Sequence, residues 1–120
     1  MLERWASCRV DIPARGRGGA LVQHFVLVLE RTELLNHQRS ILVAPVTSDL
    51  KNVAAPVVKG SMRLRPELNP WLDHPSWLVI PWWFHGDRAT LFASRVAGAT
   101  LAATDRPAAD ARIRYVLGMD

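Results

Sequence analysis

Thr47 and Ser48 follow the apolar run ILVAPV and precede Asp49. Adjacent hydroxyls and an acid at the end of a strand-like run read either as a polar turn or as a site held on a rigid edge. Two other features carry chemistry. His24 lies near the start of a second apolar run, where an imidazole can move a proton. Arg15 and Arg17 lie in PARGRGGA, a glycine-rich basic loop that reads as a solvated link or as a phosphate contact surface. Walker, GxGxxG, HExxH, CxxC and GxSxG patterns are missing. The other histidines, His37, His74 and His85, are scattered, and none stands at ligand spacing from a cysteine or carboxylate. The expectation is therefore no metal site and no cofactor.

These residues need elements to position them. Residues 4–12, RWASCRVDI, alternate imperfectly and predict a first strand. LVQHFVLVLE predicts a second, buried on both faces at FVLVL. RTELLNHQR reads as a helical turn or an irregular link, and SILVAPV as the third strand. VAAPVV reads as a weak fourth strand. GSMRLRPELNPWLDHP, with its prolines, reads as a long irregular loop. SWLVIPWWF is expected to be a fifth strand and RATLFASRV a sixth. In the fifth, Trp77, Val79, Pro81 and Trp83 would share one face and Leu78, Ile80, Trp82 and Phe84 the other. Both faces would be apolar, which predicts cover from a second subunit.

The chain's last segment, TDRPAADARIRYVLGMD, carries helix punctuation. Thr104 or Asp105 can cap it, Pro107 suits the first turn and Gly118 can end it. Ala109, Ile113, Val116 and Leu117 fall on one helical face. Strands followed by one helix predict a small barrel or twisted sheet closed by that helix, in a single domain over 1–120.

Composition sets wider bounds. The net charge is +4, and arginine far outnumbers lysine, a balance that suits anionic partners or simple solubility. Mean hydropathy is +0.03, consistent with a buried partner surface such as a homodimer interface. The lone Cys8 has no internal disulfide partner, as expected in a reducing cytoplasm. The charged start MLERWASCRV is not expected to act as a signal peptide, and no run approaches the roughly 20 apolar residues that cross a bilayer. A cytoplasmic protein without a membrane partner is the expectation.

At this point the residues meet a pattern. VDIPARGRGGALVQHFVLVLE resembles the first two strands and connecting loop of the MazF/PemK family of toxin ribonucleases. SILVAPVTSDLKN is similar to that family's third-strand segment, and PSWLVIP and IRYVLGM follow its order. The likeness runs over almost the whole chain except residues 61–74, which read as an insertion. It implies a mainly β fold with a C-terminal α-helix, an SH3-like small barrel of the CcdB/PemK type. It also implies a homodimer, a cognate antitoxin protein and metal-independent cleavage of single-stranded RNA. In that chemistry the 2′-hydroxyl attacks the adjacent phosphorus, so protons must be moved and phosphate charge stabilised. The family uses an arginine at the start of strand two and the threonine of the Thr-Ser pair. Thr47 matches the second, with Ser48 beside it on the phosphate. The first is replaced: His24-Phe25 stands where the family has Arg-Pro, with Gln23 before it. His24 and Thr47 are thus the catalytic candidates, and Arg15, Arg17, Gln23 and Ser48 the substrate-binding ones.

Two other functions share the fold. A CcdB-like gyrase inhibitor acts through a terminal Trp-Gly-hydrophobic ending, whereas Gly118-Met119-Asp120 stands last in this sequence, which weighs against it. A catalytically silent barrel that binds a partner protein gains from the missing arginine.

Overall fold

The computed structural model describes residues 2–13 and 18–119. Among the described residues, seven strands form one antiparallel sheet: β1 Ala6–Pro13, β2 Leu21–Val28, β3 Ser40–Thr47, β4 Met62–Leu64, β5 Ser76–Leu78, β6 Phe84–Asp87 and β7 Arg95–Thr100. Among the same residues, three α-helices accompany them: α1 Ala55–Lys59, α2 Arg88–Ala93 and α3 Arg106–Val116. The strand order is β4-β5-β3-β2-β1-β7, with β6 also paired to β3. The fold is mainly β, a curled half-barrel sheet with a C-terminal helix.

The period-2 alternation of the strands explains why the sheet has two cores. On β2, Leu27 faces one side with Ala44, Val46, Leu64, Leu78 and Leu101, and α3 covers this side through Ala109, Ile113 and Val116. Val26 and Val28 face the other with Ala6, Cys8, Ile41 and Val43, beneath Leu35 and Leu91 of α2. A strand buried on both faces reads as a continuous apolar run, as FVLVL does.

Several expectations are corrected. VAAPVV is not a strand: Pro56, which cannot donate to a ladder, sits in the first turn of α1. Residues 60–75 are not merely a loop. Met62–Leu64 form β4, and Met62, Leu64, Asn69 and Leu72 are buried. Asn69 anchors the rest: its Nδ2 donates to Asp105 at 2.9 Å and its Oδ1 accepts from the Ala102 amide at 2.8 Å. That bond also redirects Asp105, which stands at the cap position of α3 without capping it through its side chain.

SWLVIPWWF is not one strand. A 3-10 turn at Ile80–Trp82, centred on Pro81, splits it, and the two halves pair with different stretches of β3. The two apolar faces drawn for a single strand therefore do not exist: Leu78, Val79 and Ile80 are all buried, and Trp83 is exposed. RATLFASRV is a helix followed by a strand, because Asp87 caps α2 by accepting from the Thr90 amide at 3.0 Å. The terminal helix forms as expected and ends at Gly118, which takes a left-handed φ of 71°. Leu117, assigned to its buried face, is exposed.

Candidate functional site

The end of β3 and the start of β2 meet at an open cleft of about 660 Å³. Its polar lining is His24, Thr47, Ser48, Asp49 and Lys51; Pro45, Trp82 and Phe84 are among its apolar walls. Alternation explains why these residues converge. Phe25 lies opposite Val46, and both face the α3 side. His24 and Thr47, one residue outward on each strand, therefore face the opposite side together. Continuing the register by one residue sets His24 opposite Thr47.

The imidazole is held in one orientation. Its Nδ1 lies 3.2 Å from the Val46 carbonyl oxygen. A carbonyl only accepts, so Nδ1 carries the hydrogen, and Nε2 is the nitrogen left to take or give a proton. Thr47 is half-buried and its hydroxyl is tied into a local turn. Oγ1 accepts from the Asp49 amide at 3.4 Å and donates to the Asp49 carbonyl at 3.2 Å. This side-chain turn ends the strand and holds the hydroxyl at the cleft wall. Ser48 is exposed on the same rim. Asn52, with a left-handed φ of 56°, then turns the loop just after Lys51; asparagine is one of the few side chains that tolerates this conformation.

His24, Thr47 and Ser48 thus come together. Gln23 does not join them. Neighbouring strand residues face opposite sides, so Gln23 lies on the α3 side, where its Oε1 accepts from Arg9 Nε at 2.7 Å. Arg15 and Arg17 lie outside the described residues. Sequence reasoning missed Lys51, a cation in the cleft. The available signal was its place four residues after Thr47, in a loop that had to leave the same strand end. Trp82 and Phe84 were also missed, because the turn at Pro81 that brings them to the cleft was read as continuous strand. Among the described residues, no three His, Cys, Asp or Glu side chains cluster as metal ligands. No helix among them is long and apolar enough to cross a membrane.

No protein-family model and no curated protein matches the sequence. Solved structures do match the fold. A Mycobacterium tuberculosis toxin, MazF-mt6, superposes with a TM-score of 0.63 at 16% identity, over 94% of this chain and 98% of that one. A second structure, described as an Mtb toxin, gives 0.57 at 18% identity, over 90% of this chain and 98% of the other. The chain therefore has a MazF-like fold.

Proposed function

We propose that this protein is a toxin-type endoribonuclease that cleaves single-stranded RNA without a metal ion. One observation carries the reading: a histidine whose Nδ1 is held by a backbone carbonyl and a turn-held threonine stand side by side on neighbouring strands in the lining of one cleft, in a MazF-like fold. In the reaction the 2′-oxygen forms a bond to phosphorus and the bond to the 5′-oxygen breaks. The products are a 2′,3′-cyclic phosphate and a 5′-hydroxyl. His24 Nε2 takes the proton from the 2′-hydroxyl, and the departing 5′-oxygen takes one from solvent water in the open cleft. Thr47 and Ser48 hydrogen-bond the phosphate oxygens, and Lys51 supplies positive charge where the family's arginine is missing. Arg15 and Arg17 extend the contact to flanking phosphates. The working unit is a cytoplasmic homodimer, neutralised by a cognate antitoxin protein.

The test is to incubate purified protein with mixed RNA in the presence of EDTA and analyse the ends. Cleavage leaving 2′,3′-cyclic phosphates supports the reading. Intact RNA at every concentration, with no binding, rejects it in favour of a gyrase-directed or other protein-binding barrel.

A further inference from the structure

The sheet face that carries His24 and Thr47 continues beyond the cleft, and the residues there are suited to a nucleotide. Thr47 is paired with Trp77 on β5, and Trp77 with Arg63 on β4. Directly opposed residues on neighbouring strands share a face. His24, Thr47, Trp77 and Arg63 therefore form one row across four strands. Their sequence neighbours Met62, Leu64, Val46 and Leu78 fill the core on the other side, which fixes the row's direction. At the end of the row the Arg63 guanidinium carbon lies 5.3 Å from the centre of a Trp77 ring. Arg63 is exposed, and among the described residues it makes no ion pair.

We propose that Arg63 and Trp77 form a subsite for the nucleotide next to the scissile phosphate, holding its base by stacking and its phosphate by charge. This rests on the single-stranded RNA reading of the cleft. Strands in a sheet are about 4.8 Å apart, so Trp77 is one strand spacing from Thr47 and Arg63 two, and the row leads outward from Thr47 along the same face. Guanidinium and indole planes both stack on bases irrespective of sequence, and an arginine presents a fork of donors to phosphate. The indole does a second job: it holds the guanidinium over the row, so less side-chain freedom is lost when RNA binds. A purely structural role explains the exposure less well, since an exposed cation–π contact contributes little to a fold.

The experiment measures binding of a fluorescent 2′-O-methyl RNA oligonucleotide, which cannot be cleaved by its own 2′-oxygen, as a function of salt. The proteins are wild type, Arg63→Gln, Arg63→Lys, Trp77→Phe and Trp77→Leu, each with its melting temperature. Trp77→Leu should weaken binding by about 5- to 150-fold and Trp77→Phe by much less. Arg63→Gln should also lower the slope of log affinity against log salt by about 0.7, and Arg63→Lys should preserve the slope. Arg63 is on the surface, so its variants carry the test if Trp77→Leu fails to fold. Wild-type binding or cleavage with unchanged affinity and salt slope in folded Arg63→Gln overturns the subsite and leaves the ribonuclease reading intact. A wild type that neither binds nor cleaves any single strand overturns both.

Discussion

His24 and Thr47 are separated by twenty-two residues in the chain and by one strand spacing in the sheet. If His24 moves the proton, His24→Ala should lower cleavage about 10²–10⁴-fold, the usual range for a positioned acid or base. Thr47→Ala should also lower it, with little change in melting temperature, because among the described residues the hydroxyl bonds only within its own turn. Single-turnover cleavage of a short RNA reads both; wild-type rates in both variants would place the reacting surface elsewhere. Thr47 and Ser48 were legible from sequence because adjacent hydroxyls end an apolar run. The His24 partner, the Val46 carbonyl, was not, since backbone acceptors have no signature in residue type. Cys8 makes a contrasting case. It is fully buried, and that burial pushes its thiol from 9.0 to about 11, outweighing the opposing pull of the Arg95 charge and the Ser94 hydrogen bond. Folded protein at pH 8 should therefore resist iodoacetamide and react only once unfolded. The sign for stability follows. Between about 9 and 11 the unfolded chain loses the proton that the folded one keeps, so stability falls as pH rises through that window. Rapid alkylation of folded protein, followed by mass spectrometry, would contradict the burial.

The elements that sequence patterning recovered were those with long enough patterns: an imperfect alternation in β1, continuous apolar runs in β2 and β3, and a helical period in α3. The elements it missed are short and decided by single residues: Pro56 for α1, Pro81 for the break between β5 and β6, Asp87 for α2. Gly60 is another such residue. Its backbone angles are ordinary, with φ at −81°, so conformational freedom does not explain it. Space does: a Cβ there would lie 2.7 Å from Pro81 Cγ and 2.9 Å from Val116 Cγ2. Gly60 lets the end of α1 approach both the Pro81 turn and α3. Gly60→Ala should destabilise by about 1–3 kcal/mol through overpacking, seen as a lower denaturant midpoint; an unchanged midpoint would show that these three elements yield readily. The α2 cap gives a prediction in pH. The Thr90 amide, then its hydroxyl, hold the Asp87 carboxyl below its ordinary value. A lowered folded value contributes stability above the unfolded carboxyl's range, and this is lost as pH falls through the folded value. Asp87→Asn can still cap but cannot titrate, so its melting temperature should fall less steeply than wild type below about pH 4.

At the scale of the whole molecule, the likeness in fold was readable from the order of weak motifs, whereas the reason given for a dimer was not sound. A doubly apolar strand 76–84 was expected to need a partner, yet the turn at Pro81 buries Leu78, Val79 and Ile80 within the chain itself. What remains outside is different: Trp83 is 43% exposed and Leu117 58%. These two, with Ile113 and Val116, border an apolar groove of about 210 Å³ beside α3. Large side chains left at the edge of such a groove favour association of two copies over solvation of each. Light scattering at micromolar concentration should therefore report about twice the 13.4 kDa chain mass. Trp83→Lys should shift the species to a monomer while leaving the far-UV spectrum intact, since the indole adds little to the core it borders. A wild type that stays monomeric across the concentration range removes the dimer from the proposed function. A dimer indifferent to Trp83→Lys keeps the dimer and moves its interface away from α3.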